Sequence, residues 1–343
     1  MEEENTPNNE MEVDRETGHD GFISSGDELE PEQPADPVES VQLVIVDPQA
    51  LDVDFNHGRI AKIENLERLT QVENLCLRQN LITKIEGLST LTTLVDLDLY
   101  DNQITKVENL DALVNLTSLD LSFNRFGKIE NLNTLVNLKK LFLIHNKITK
   151  IENIDHLTQL EMLELGSNRI RTIENISTLI NLTSLFIGKN KINKLKGLET
   201  LVNLRTLSMQ TNRIVKLEGL DTLVNLEELY LADNGIEKLE GLDKNTKLNT
   251  LDLANNRISQ IENLDHLEEL QEFWFNDNKV SAWKEIESLV PLKKLETVYL
   301  ERNPIYYDAG DKLKADPSYR RKIKLTLPWI KQIDATMAQS MVG

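Results

Sequence analysis

Asp98 and Asp120 stand 22 residues apart at matching points of a repeated pattern. On neighbouring strands their carboxyls would lie about 5 Å apart, the separation used by a retaining glycosidase pair. A second set of acids recurs at the same interval: Glu64, Glu86, Glu108, Glu130, Glu152 and Glu174, then Glu218, Glu240 and Glu262. A stack of carboxylates suggests a cation site. However, Lys84, Lys106, Lys128 and Lys150 each precede their Glu by two residues and can interleave with it, which favours a solvated ion-pair ladder. Cys76 is the single cysteine, and no histidine is placed near it in sequence to activate a thiolate. Among the five histidines, His156 and His266 share one phase of the repeat and His145 sits where a strand should end. There is no Ser–His–Asp order, phosphate-cradling loop or metal-ligand spacing. The residues therefore favour a non-catalytic chain without a cofactor.

The elements that must position these residues follow from one period. Asn80, Asn102, Asn124, Asn146, Asn168, Asn190, Asn212, Asn234, Asn256 and Asn278 are each 22 residues apart. Around them runs a fixed apolar frame, seen at Leu97, Leu99, Ile104, Val107, Leu110, Leu113 and Leu116. A strict period of this size marks a leucine-rich-repeat solenoid, an α/β fold in which each coil stacks on its neighbours. The alternation in Leu119-Asp-Leu121 predicts a short strand. The three-residue spacing of Ile170, Ile173, Ile176, Leu179 and Leu182 predicts a return arm of tight, 3₁₀-like or irregular turns. Stacked strands should form a parallel, concave sheet, and each Asn amide should satisfy backbone groups in the turn leaving the strand.

The ends depart from the frame. Residues 1–40 hold fourteen Asp or Glu against one base, Arg15, together with Pro7, Pro31, Pro34 and Pro37. Such a segment cannot bury enough apolar surface to order itself, and it reads as a disordered acidic tail. Within it Ser24 and Ser25 each have an acid three residues on, the pattern of an acidophilic phosphorylation site. Residues 41–57 read as an N-terminal capping region. Residues 58–303 read as about 11–12 repeats, and residues 304–343 as a C-terminal cap. The net charge of −19 argues against nucleic acid and anionic membrane as partners. One cysteine, and an acidic start in place of a signal peptide, fit a reducing compartment. Asn115-Leu-Thr117 and Asn181-Leu-Thr183 match the glycosylation sequon, but they share one phase and read as products of the repeat.

Between the two apolar residues of each strand lies a position free to vary. Down the stack it runs Cys76, Asp98, Asp120, Phe142, Glu164, Phe186, Ser208, Tyr230, Asp252, Trp274 and Tyr299. Five of these are aromatic in a chain that is 5% aromatic, and none is basic. The flanking column places Gly166, Gly188, Ala232 and Ala254 beside the rings, and the preceding one holds Glu272. Aligned rings with acids between them have the composition of an interface hot spot, suited to a partner with basic and apolar surface.

Tandem copies of Leu-x-x-Leu-x-Leu-x-x-Asn-x-Ile-x-x-Ile-Glu-x-Leu, closed by Tyr319, Ile323, Leu327-Pro328 and Ile330, resemble a known family from about residue 53 onward. It is that of the protein phosphatase 1 regulatory subunits of the 22-residue leucine-rich-repeat class. The resemblance implies a subunit that binds the serine/threonine phosphatase catalytic subunit by its concave face, in nucleus and cytoplasm, and acts in mitosis. It also implies a ternary complex with a further inhibitor subunit, from a chain monomeric by itself. By the resemblance, docking falls to Asp120, Phe142, Glu164, Phe186, Glu272, Trp274 and Tyr299. The aromatic column adds Tyr230. No basic-x-Val-x-Phe docking peptide is present, so recognition must rest on the folded face. The alternative is a leucine-rich-repeat adaptor of ciliary or RNA-processing complexes.

Overall fold

The computed structural model describes Ile45 and residues 47–338. The acidic tail of residues 1–40, with Ser24 and Ser25, lies outside the described residues. Strands recur once per repeat and contain three residues each. They are β1 (Asp52–Asp54), β2 (Asn74–Cys76), β3 (Asp96–Asp98), β4 (Ser118–Asp120), β5 (Lys140–Phe142) and β6 (Met162–Glu164). Then come β7 (Ser184–Phe186), β8 (Thr206–Ser208), β9 (Glu228–Tyr230), β10 (Thr250–Asp252), β11 (Glu272–Trp274) and β12 (Thr297–Tyr299). All pair in parallel, in chain order. Two short strands, β13 (Gln332–Ile333) and β14 (Thr336–Met337), extend the sheet, and β14 is antiparallel. The sheet thus continues into the region read from sequence as cap.

Each strand from β2 to β12 buries its central residue and turns its two neighbours outward. The strand Leu or Phe joins the return-arm residues in one continuous core that runs from Ile60 to Ala338. The return arms are not 3₁₀ helices. They are chains of single turns in which every third amide closes a bond, as in Leu91 N to Leu88 O and Leu94 N to Leu91 O. The intervening amides point elsewhere because every third residue is drawn into the core and those between face water. The one 3₁₀ segment among the described residues is Pro304–Tyr306.

The Asn ladder uses nearly all of its hydrogen-bonding capacity. The Asn124 amide nitrogen donates to the carbonyls of Leu99, Leu121 and Ser122, and its oxygen accepts from the Ile104 amide at 2.9 Å. One coil is thereby tied to the last, which is why the residue repeats without substitution. Asn146 is the exception. Phe126 replaces the usual Ile at the donor position, and the Asn146 Oδ1 is buried without a partner.

A second column, not read from sequence, holds only Asn or Gly. It includes Asn65, Gly87, Asn109, Asn131, Gly197 and Gly241, all at positive φ. Left-handed backbone favours these two residues, so their restricted exchange was the available signal. At Gly197, with φ +86°, a Cβ would fall 2.4 Å from the Ile173 carbonyl oxygen. Ion pairs form at Lys62–Glu64, Lys84–Glu86, Lys106–Glu108 and Lys216–Glu218, and not in every coil.

The stretch between β11 and β12 holds a short helix, α1 (Lys284–Glu287), which accounts for the longer spacing there. The chain then covers the last coil with α2 (Tyr319–Thr326), whose Tyr319 is 2% exposed. Asn303 is the last ladder residue, and beyond it Asp334 satisfies the end of the sheet. Its carboxylate accepts from the Leu300 and Glu301 amides at 2.8 and 3.0 Å, and from the Tyr319 hydroxyl.

Candidate interaction face

The sheet aligns the variable positions into one unbroken row. Asp98 pairs in register with Asp120, Asp120 with Phe142, Phe142 with Glu164, and Glu164 with Phe186. Beyond Ser208 the row continues Tyr230, Asp252, Trp274 and Tyr299. Parallel three-residue strands with a 22-residue period leave no other register, so side chains separated by hundreds of atoms of chain become neighbours.

All eight residues singled out from sequence are half-buried on this face. The Trp274 and Tyr299 rings lie 5.6 Å apart, and the Tyr299 hydroxyl accepts from the Gln332 side-chain amide at 2.8 Å. The cap therefore fixes the last ring of the row. The Trp274 Nε1–H is buried and meets no acceptor. The Tyr230 hydroxyl donates to Glu228 at 3.3 Å, and burial together with Glu228, Glu272 and Asp252 pushes its pKa up to about 12.

The acids divide into two kinds. Asp98, Asp120 and Asp252 each spend one oxygen on the amide two residues later, at Tyr100, Ser122 and Ala254. They cap their own strand exits, a local role that the sequence reading did not foresee. Asp252, 4% exposed, is pushed up to about 6 by burial. Glu164 is different. No protein group among the described residues donates to it, and burial raises its pKa with Asp120 adding to the effect. A half-buried carboxylate without a partner is a ready seat for an incoming cation.

Burial also raises the pKa of Asp98 and Asp120, but each is already bonded at its strand exit. A cavity of about 570 Å³ lies away from the row, between Trp283, Tyr307 and Lys322. Burial pushes the Cys76 thiol up, opposite to the shift a nucleophile needs. No group of three His, Cys, Asp or Glu among the described residues is placed to hold a metal ion. His156 and His266 bond the carbonyls of Leu132 and Leu242 on the preceding coil, at 3.0 and 2.9 Å. Asn115 and Asn181 do the same with Thr92 and Thr158, as expected of repeat residues.

Two surface features escaped the sequence reading. Val114, Val136, Ile180, Val202 and Val224 form an exposed apolar stripe on the flank, recognisable in retrospect from their common phase. Tyr100, Phe123 and His145 lie against one another at the strand-exit rim, the last two stacked.

Curated proteins with local similarity to this chain include regulatory subunits of protein phosphatase 1. Protein phosphatase 1 regulatory subunit 7 of Homo sapiens is 56% identical over 58 residues, which is 17% of this chain and 14% of that protein. The Xenopus tropicalis protein of the same name is 53% identical over 95 residues, 24% of this chain and 27% of that one. Protein phosphatase 1 regulatory subunit SDS22 of Schizosaccharomyces pombe is 49% identical over 59 residues, 17% of this chain and 16% of that one. These alignments span well under a third of the relatives' length. Among solved structures, an internalin (inlF) of Listeria monocytogenes superposes with a TM-score of 0.68 at 26% identity, covering 83% of this chain and 87% of that one. A leucine-rich-repeat protein of Leptospira interrogans gives 0.65 at 23% identity, covering 79% and 80%, a likeness of fold alone. The family profile described as "Leucine Rich repeats (2 copies)" matches residues 70–112, 92–135, 136–178, 180–222 and 224–266. These stretches take in more than half of the sequence, and the chain belongs to the leucine-rich-repeat family.

Proposed function

We propose that this chain is a non-catalytic regulatory subunit that binds the catalytic subunit of serine/threonine protein phosphatase 1 through its sheet face. The observation that carries the reading is the in-register row of Phe142, Glu164, Phe186, Tyr230, Trp274 and Tyr299, with Asp120 at one end and Glu272 beside it. The named relatives supply the partner, and all are regulatory subunits of that phosphatase. The mechanism is occupancy. A rigid repeat array covers part of the phosphatase and governs which substrates and further subunits reach it, during its activity, maturation or targeting. Rings fill apolar hollows, and Glu164 receives a base.

The same reading places the protein in nucleus and cytoplasm, monomeric by itself, with room for an inhibitor subunit in a ternary complex. It also makes Ser24 and Ser25 phosphate acceptors in the acidic tail. Binding of purified chain to purified catalytic subunit tests the core of it, with Phe186→Ala and Trp274→Ala as variants. Loss of affinity in variants that melt like the parent supports the row. Binding that neither change weakens moves the site elsewhere, with the Val136–Ile180–Val202 stripe next to be tested. No binding at all leaves an adaptor for another complex.

A further inference from the structure

Three rings at the strand-exit rim are not required by the repeat. The position before each ladder Asn is left-handed in every coil, and elsewhere it holds polar or charged residues, among them Gln79, Asp101, Lys189, Thr211, Asn255 and Arg302. Phe123 and His145 occupy it at φ +53° and +54°. A residue such as Phe123 adopts this backbone at a cost that Asn, Asp or His largely avoids, and strain of this kind collects at functional surfaces. The rings gain no place in the core in return. Phe123 is half-exposed and His145 exposed.

The rings are nevertheless ordered against one another. Phe123 lies 4.9 Å from Tyr100 and 4.7 Å from His145, the latter pair stacked at 11°. At the Tyr100 end sits the chain's own Arg78. Its guanidinium is 4.2 Å from the ring centre, and its Nη1 is 3.2 Å from the Asp98 carboxylate. The molecule thus displays one arginine held between a ring and an acid. Beside the rim, strands β1 to β4 present Asp52, Asp54, Asp96, Asp98 and Asp120 against that single base. Burial holds Asp98 and Asp120 above the usual carboxylate range, a penalty that an incoming cation would reverse.

We propose that the Tyr100–Phe123–His145 rim, with the acid row beside it, is a second docking surface, which takes an arginine-bearing basic segment of a protein partner. The occupant follows from charge complementarity and from the Arg78 example. A planar guanidinium can stack on a ring while forking to a carboxylate, whereas the compact, strongly hydrated ammonium of lysine suits that geometry less well. The surface lies at the N-terminal end of the sheet, meets the phosphatase row only at Asp120, and does not depend on that assignment.

Fluorescence anisotropy on the full chain at about 0.15 M salt tests it, with labelled octa-arginine and octa-lysine as probes. The expected result is roughly fivefold tighter binding of octa-arginine, the preference that stacking adds to charge. Phe123→Asn with His145→Asn removes both rings and keeps a residue type that the repeat itself uses at Asn255. This double variant should bring octa-arginine down to the octa-lysine level. Should it melt early, His145→Asn alone, at an exposed ring, carries the test with a loss of about threefold. Equal affinity of the wild-type chain for the two peptides would overturn the proposal and reduce the effect to net charge. So would loss of octa-arginine binding in Phe186→Ala/Trp274→Ala with the rim variants unaffected, which would put the segment in the central row.

Discussion

The strand-exit ladder and the sheet face occupy the same coils but face opposite demands. Along the ladder, Asn190 donates to three carbonyls and accepts from the Ile170 amide, and its counterparts do nearly the same from end to end. Along the face, neighbouring strands present Phe142, Glu164 and Phe186, with Glu164 unbonded among the described residues and the Trp274 N–H unpaired. Where the repeat is invariant, polar groups are saturated within the chain, the Asn146 Oδ1 apart. Where it varies, capacity is left over, and leftover capacity is what a partner can use.

The sharpest way to break this contrast is to delete an amide from the ladder. Asn190→Ala orphans several buried backbone groups at once and should cost about 3–5 kcal/mol of stability, with phosphatase affinity of the folded fraction unchanged. Urea melts check it. Because coils couple only to their neighbours, the transition should also split in two. On the face the effect should reverse. Trp274→Ala and Phe186→Ala should each weaken phosphatase binding by about 2 kcal/mol, near thirtyfold, while melting within a few degrees of the parent.

Asp252 lies between the two regimes, on the face yet buried and bonded to its strand exit. Its folded pKa of about 6 stands above the roughly 3.9 of an unfolded aspartate, so the ionised form disfavours folding. The folded state should therefore lose stability as pH rises from about 4 to 6, and level off above that. Asp252→Asn keeps an oxygen for the Ala254 amide. It should raise stability at pH 7 by about 1–3 kcal/mol and leave it nearly unchanged at pH 4, as thermal melts at the two values will show. The smallest expected effect sharpens the ladder itself. Asn146 Oδ1 is already unpartnered beside Phe126, so Asn146→Ala should cost about 1 kcal/mol less than Asn190→Ala in the same urea series.

Much of this molecule was legible in the residues alone. The period placed every three-residue strand from β2 to β11, the alternation assigned the buried and outward positions, and the ring-and-acid column came out in its true order. The buried role of Asn followed from the need to satisfy a turn inside a stack. These are consequences of one local pattern copied many times, in which each coil meets only the next.

Other features depended on distances that no spacing encodes. Asp98, Asp120 and Glu164 look alike as acids in a column, and folding separates the two that cap their own strands from the one left unpaired. Asp334 closes the sheet from outside the repeat frame, because its carboxylate can accept the Leu300 and Glu301 amides once α2 and β13 bring it there. The Tyr100–Phe123–His145 rim joins residues at two different phases, which become neighbours only when adjacent turns stack. Periodicity by itself determined the scaffold and which face would vary. The tertiary structure decided which polar groups on that face were already used, since a hydrogen bond is settled by a few tenths of an ångström and a repeat length is not.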